Sequence, residues 1–163
     1  MIHKANIEPV QRGFFSIGIF NPKRESNIGS LWRTATALGA SYIFTVGTTY
    51  QHQHSDTSKA WKKTPLMHFE DIEDLKCHLP YGTQLIGIEI TPNARFIKDF
   101  LHPERACYLL GREDRGLPEE AINACNCIVK LQGSECLNVS VAGSIALYDR
   151  ITKGTTNWGK VRH

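Results

Sequence analysis

Phe14-Phe15-Ser16-Ile17-Gly18-Ile19-Phe20 is a short apolar run ending at Asn21-Pro22, the pattern of a buried strand closed by a turn. The next periodic segment, Ser26 to Leu38, changes register. Ile28, Leu31, Trp32, Ala35 and Leu38 recur at helical spacing, and Gly39 stands where a helix stops. Ser41 to Gly47 then reads as a second strand. Strand, helix and strand in that order are the unit of a parallel sheet, because parallel neighbours need a crossover connection.

The same alternation continues outward. Thr48 to Pro65 reads as a polar loop and Asp71 to His78 as a short helix. Gln84 to Ile90 and Arg105 to Gly111 read as strands, with Phe96 to Leu101 helical between them. Pro118 to Cys125 is a helix with proline in its first turn, Cys127 to Leu131 a last strand, and Asn138 to Thr152 a closing helix. The expected fold class is α/β: a mostly parallel sheet with helices on both faces, in one domain over residues 1–163. Ligands of such sheets sit beyond the carboxyl ends of the strands. The loops after Phe20, Gly111 and Leu131 are therefore where chemistry is to be sought.

Composition narrows the class. A chain of 163 residues with 41% hydrophobic and 21% charged residues has the make-up of a globular domain, not of a disordered segment. No apolar run reaches the roughly 18 residues of a membrane helix, and the first twenty residues carry no signal-peptide pattern, so a cytoplasmic protein is expected. The five cysteines are odd in number and not spaced as a disulfide framework, which suggests reduced thiols. His52-Gln53-His54 has no obvious third ligand and reads as a solvated loop; no metal is expected. A net charge of +3 permits a nucleic-acid partner without requiring one.

Each of the three loops admits a plain and a functional reading. In Asn21-Pro-Lys-Arg-Glu-Ser-Asn27-Ile-Gly29-Ser-Leu-Trp-Arg33, Asn27 and Gly29 open the helix, where free N–H groups can meet an anion. Arg33 lies off the apolar stripe. The plain reading is a helix cap and a surface arginine. In Gly111-Arg-Glu113-Asp-Arg-Gly116-Leu-Pro118, a strand ends in a glycine that would let a ligand approach the backbone; the plain reading is a charged turn. In Cys136-Leu-Asn138-Val-Ser-Val-Ala142, a loop enters a helix rich in small residues, which also suits close helix packing. Dinucleotide, P-loop and nucleophile-elbow patterns are absent.

Taken together and in order, these segments resemble the three signature motifs of the SpoU branch of the SPOUT RNA methyltransferases. Asn27-x-Gly29-x-x-x-Arg33 with Gly39 is similar to the first motif, Gly111-x-Glu113-x-x-Gly116 to the second, and Leu137-Asn138-Val139 with Ala142 to the third. The resemblance runs from Phe14 to Arg150. It implies a C-terminal trefoil knot that forms the cofactor pocket, a homodimer built on the first and last helices, and S-adenosylmethionine as methyl donor to a ribose 2′-hydroxyl of tRNA or rRNA; the lack of extensions around the domain makes tRNA the expected substrate of the two. It places Asn27, Arg33, Glu113 and Asn138 at the reaction centre, and backbone near Ile88, Gly111, Val129, Leu131 and Leu137 around the cofactor. Two positions depart from the pattern. Cys136 stands where serine is usual, and Val129-Lys130-Leu131 replaces Ile-Pro-Met ahead of a loop that is one residue shorter.

An arginine has a pKa above roughly 12 and is a poor base, so the suitable role for Arg33 is electrostatic: clamping phosphate and stabilising a developing alkoxide. For RNA contact the basic candidates are Lys23 and Arg24 before the first helix, and Lys59, Trp61, Lys62 and Lys63, where charge and an aromatic ring lie together. The rival reading is a non-catalytic RNA-binding protein that keeps the fold.

Overall fold

The computed structural model describes residues 13–50, 59–133 and 135–155. His52-Gln53-His54 lies outside the described residues. In chain order the elements are β1 (Phe14–Phe20), α1 (Glu25–Ala37), β2 (Tyr42–Val46), β3 (Leu66–Phe69), α2 (Ile72–His78), β4 (Gln84–Ile88), β5 (Arg95–Phe96), β6 (Arg105–Leu110), α3 (Glu119–Ala124), β7 (Cys127–Lys130) and α4 (Val139–Lys153). All the named strands pair in parallel in one sheet of order β3-β2-β1-β6-β4-β7-β5. The mostly parallel α/β architecture expected from the alternation is the one observed.

Alternation along the strands separates two cores. Ile17, Ile19, Ile86, Ile88, Tyr108 and Leu110 face α1 and α4. Leu85, Cys107 and Leu109, one residue out of phase, face α2 and α3 along with Phe44, Leu75 and Ala121. Burial on both faces is why these strands read as continuous apolar runs. Helix α1 turns Ile28, Leu31, Trp32 and Ala35 inward, as the helical spacing predicted. Helix α4 lies against α1 because Gly143 lets it: a Cβ there would stand 2.7 Å from Leu31 Cδ1 and 2.8 Å from Leu110 Cδ1.

Three elements differ from expectation. The strand β3 was not evident in the sequence, because only Phe69 of its four residues is buried. Phe96 to Leu101 is not a helix. Phe96 belongs to the two-residue strand β5, and Ile97–Asp99 form one 3₁₀ turn that buries Ile97 and Phe100, three residues apart. Inside the expected polar loop, Ala60–Lys62 also form a 3₁₀ turn. The described helices include none long and apolar enough to cross a membrane.

Sheet order places the chemistry. Strand β1 ends beside β6, β6 beside β4, and β4 beside β7, so the chain leaving Phe20, Leu110, Ile88 and Lys130 emerges along one edge. The three loops singled out from the sequence thus share one end of the sheet.

Candidate functional site

At that end the three loops are joined by one chain of hydrogen bonds. The Glu113 carboxylate accepts from the backbone N–H of Lys23 (3.1 Å) and of Arg24 (3.2 Å), and from Asn27 Nδ2 (2.6 Å). Asn27 Oδ1 accepts from Asn138 Nδ2 at 3.0 Å. Asn138 Oδ1 in turn accepts from Ser140 N, Ser140 Oγ and Val141 N, capping α4. A helix start has orphan N–H groups. At α4 they are met by Asn138. At α1 no side-chain cap exists, and Glu113 from a distant loop takes the N–H groups just before the helix. The Glu113 carboxylate thus fixes the chain as it enters α1.

The electrostatics follow from that geometry. Partial burial works to raise the Glu113 carboxyl, but the Asn27 amide and the backbone N–H donors outweigh it and hold the group below the usual carboxylate range. Next to it, the Lys23 ammonium, 3.1 Å away, lowers Asp114, with Arg112 assisting through Nε at 2.7 Å. Lys23 is thus engaged with Asp114 and not simply presented to solvent.

Below these bonds lies a cleft of about 640 Å³, within the range of about 300–1,000 Å³ usual for small-molecule sites. Of the residues expected at the cofactor, Ile88, Gly111, Leu131 and Leu137 line it; Leu137 is 46% exposed. Val129 does not line it: the side chain is buried and the carbonyl accepts the Glu89 N–H. Lys23, Arg24, Asn27, Glu113 and Asn138 line it as well. Cys136 also lines the cleft and is exposed, so the substituted position is at the site.

Gly111 has a structural reason in addition to the ligand approach read from the sequence, and Gly116 has one of its own. A Cβ on Gly111 would overlap the backbone of Gly116 and Leu117, so the glycine lets the loop close on itself. That closure is seen in Arg112 N to Gly116 O (3.1 Å) and Gly116 N to Arg112 O (2.8 Å). Gly116 has φ of +67°, a left-handed conformation that favours glycine.

Arg33 is not brought to the cleft. It is exposed on α1 and does not line the pocket, and Glu113 is occupied by other partners. Nearby on the same helix, Ser30 and Thr34 form a shallow groove with Val141, Ser144, Ile145 and Tyr148 of α4. Lys59, Trp61, Lys62 and Lys63 sit together at the 3₁₀ turn packed on α1. Trp61 is 46% exposed, with Lys62 Nζ 5.3 Å from its ring centroid. They are separate from the cleft lining.

Sequence reasoning missed Glu89, Ile90 and Lys130, all of which line the cleft. The signal was available: each stands at or just past the carboxyl end of β4 or β7. Among the described residues no group of three or more His, Cys, Asp and Glu side chains is placed to hold a metal.

An all-parallel sheet with helices on both faces and a cleft at the carboxyl ends of its strands defines an α/β protein of the kind whose ligands sit at that edge. Residues 15–148 match the SpoU rRNA Methylase family, and the chain belongs to that family. It is 26% identical over 129 residues to the tRNA (guanosine(18)-2'-O)-methyltransferase of Escherichia coli, covering 76% of this chain and 56% of that protein. It is 28% identical over 141 residues to the tRNA (guanosine(18)-2'-O)-methyltransferase TARBP1 of Mus musculus, covering 77% of this chain and 8% of that one. The chain therefore spans little more than half of the first relative and a small part of the second. Among solved structures, the SpoU methyltransferase AviRb of Streptomyces viridochromogenes, in complex with AdoMet, superposes with a TM-score of 0.78 at 22% identity, over 89% of this chain and 59% of that one. The A. aeolicus TrmH/SpoU tRNA modifying enzyme gives 0.78 at 18% identity, over 88% and 76%.

Proposed function

We propose that this chain is an S-adenosylmethionine-dependent RNA methyltransferase that modifies a ribose 2′-hydroxyl, with tRNA favoured over rRNA. The observation that carries the reading is the Glu113–Asn27–Asn138 chain, which gathers all three family motifs in the lining of one cleft. The names of the E. coli and mouse relatives support ribose methylation of tRNA.

The cleft lining suits the donor. Ile88, Leu131 and Leu137 supply apolar walls for an adenosine, and the rest of the lining mixes acidic and basic side chains, Glu135 and Lys130 among them. When bound, S-adenosylmethionine supplies an already electrophilic methyl group, which leaves the protein to place the ribose oxygen and manage its proton. In this reading Asn27, Glu113 and Asn138 are positioning residues. Their polar atoms hold one another, and through Lys23 N and Arg24 N they fix the start of α1 relative to the cleft. Arg33 is the group kept for RNA: exposed, always cationic, and able to bind phosphate by two N–H donors.

Arg33 lies outside its own cleft, and the groove beside it on α1 and α4 exposes Val141, Ile145 and Tyr148. A homodimer burying that groove, with RNA crossing both subunits, would put Arg33 at the boundary the RNA meets. The family's knotted path through the C-terminal third, and a cytoplasmic location, belong to the same proposal.

The decisive experiment is methyl transfer from labelled S-adenosylmethionine to tRNA, followed by digestion and identification of the modified nucleoside. A 2′-O-methyl nucleoside is expected. Methylation of a base overturns the ribose assignment. Tight RNA binding without turnover, with cofactor bound, favours the non-catalytic module instead.

A further inference from the structure

We infer that Glu89, which lies outside the three family motifs, is a positioning residue for the cofactor cleft: its carboxylate anchors the Gly111–Gly116 loop to the end of β4. The inference rests on the reading of the cleft as an S-adenosylmethionine site.

The register sets the position. Ile88 lies opposite Leu110 of β6 on one side and Val129 of β7 on the other, so Glu89 leaves the sheet between the two loops that wall the cleft. Its N–H donates to Val129 O at 3.0 Å, extending the pairing with β7 by one residue. The carboxylate reaches the other way. Oε2 accepts from Leu117 N at 2.6 Å, and Oε1 accepts from Ile90 N at 2.8 Å. Both oxygens are bonded to backbone, and a charged acceptor makes such bonds strong.

The loop needs this tie. Its internal bonds between Arg112 and Gly116 shape the loop but do not place it. Glu113 links its tip to α1, and Glu89 holds its exit. Leu117 is buried, so its N–H has few alternatives once the carboxylate is gone. The sequence has made room for the carboxylate: a Cβ on Gly116 would overlap Glu89 Oε2. Gly116 is favoured by its positive φ, and a side chain there would also push the Glu89 carboxylate off its seat. Loss of the tie at Leu117 lets Gly111 and its neighbours shift along the cleft wall, while Glu113 keeps its own bonds to Lys23, Arg24 and Asn27, so the effect falls on cofactor binding before it reaches the RNA contacts.

The test measures binding of S-adenosylhomocysteine by calorimetry, and of a tRNA transcript by titration, for the full chain and for Glu89→Ala, Glu89→Gln and Glu89→Asp. Glu89→Ala is expected to weaken cofactor binding about 10- to 100-fold, the scale of a charged hydrogen bond to a buried donor, with the tRNA dissociation constant within about twofold. Glu89→Gln keeps the reach and one acceptor oxygen and should recover part of the loss; Glu89→Asp keeps the charge but falls short of Leu117 and should not. Amide exchange should accelerate at residues 111–117 and stay at wild-type rates in β1 and β6. Wild-type cofactor affinity in the alanine variant overturns the inference, as does an equal loss of RNA affinity with faster exchange throughout, which would make Glu89 a general fold element. If the alanine variant does not fold, the other two decide: aspartate binding as tightly as glutamine overturns anchoring by reach. A wild type that takes up no ligand at millimolar concentration overturns the cofactor reading itself, a failure distinct from that of Glu89.

Discussion

Asn27 is bonded from both sides, and its two ends differ. Nδ2 gives to Glu113 and Oδ1 receives from Asn138. Asn27→Asp keeps the size but removes the donor and sets a second carboxylate against Glu113. Destabilisation of about 1–3 kcal/mol is expected from the lost donor and the repulsion. Denaturant unfolding checks it, and Glu113→Gln in the same background should restore part of the loss by removing one charge. Arg33 is the opposite case, since the fold does not use it in the cleft. Arg33→Ala should abolish methyl transfer while leaving S-adenosylhomocysteine affinity and stability near wild type. Arg33→Lys should also be severely impaired, because a point charge does not replace a planar two-donor fork. A lysine variant that kept most of the activity would show that charge alone is enough. The sequence named Asn27, Glu113 and Asn138 together, but not how they are used: polar residues beside a cleft look alike whether they face a substrate or each other. Only the distances show that they face each other.

Helices α1 and α4 carry the site, so their spacing sets it. Gly143 of α4 sits against Leu31 of α1, and Gly143→Leu has no room beside Leu31 and Leu110. Overpacking of this kind costs about 1–3 kcal/mol, and thermal unfolding should show it, with Gly143→Ala milder. The turn that bears Lys59, Trp61, Lys62 and Lys63 packs on the same helix, and Trp32 Nε1 donates to Thr64 O at 2.8 Å just after it. If this turn grips RNA, replacing the three lysines should weaken binding and flatten its salt dependence, because fewer counterions are released. Trp61→Ala should cost roughly 1–3 kcal/mol with little change in slope. Binding titrations across a salt series separate the two, and unchanged slopes in the triple-lysine variant would return the turn to ordinary solvated surface. At this scale the buried elements were legible and the marginal ones were not. The strands β1, β2, β4 and β6 announce themselves through continuous apolar runs, and α1 through its spacing. Strand β3 has one buried residue in four and β5 has two residues, so neither leaves a periodic trace. Ile97 and Phe100, three apart, suit a 3₁₀ turn as well as a helix.

Over the whole molecule, the least legible feature is a polar network in the core, at the end of the sheet where β6 begins. His102 and Arg150 are buried, though nothing in their spacing set them apart from surface residues. His102 Nδ1 lies 2.6 Å from Tyr108 Oη and Nε2 lies 2.9 Å from Asp149 Oδ2. Arg150 donates to the carbonyls of Pro103 and Glu104 and to Tyr108 Oη, and its guanidinium lies 5.0 Å from the Phe15 ring centroid. Lys153 completes the surroundings through Asp149 and the carbonyl of Ile97. These bonds join α4 to β6, so they bear on global stability more than on the cleft. Burial is the main influence on His102 and lowers its pKa; Asp149 opposes the shift, while Arg150 and Lys153 reinforce it. The folded protein thus binds the His102 proton less readily than the unfolded chain does. Stability from this source is fully present above the unfolded value of about 6.5 and is lost as pH falls toward and through the lower folded value. Glu113 and Asp114, both lowered in the fold, contribute in a more acidic window, below about 4.3, the ordinary carboxylate range. Unfolding free energy measured by denaturant from pH 7.5 to about 5 should therefore decline as pH falls, with a slope from this group no steeper than about 1.4 kcal/mol per pH unit, one proton's worth. His102→Gln should be less stable at neutral pH, because Tyr108 and Asp149 lose a well-placed partner, and its profile across the same range should be flatter. A glutamine variant with the wild-type slope would assign the dependence to another group and leave the His102 network as packing alone.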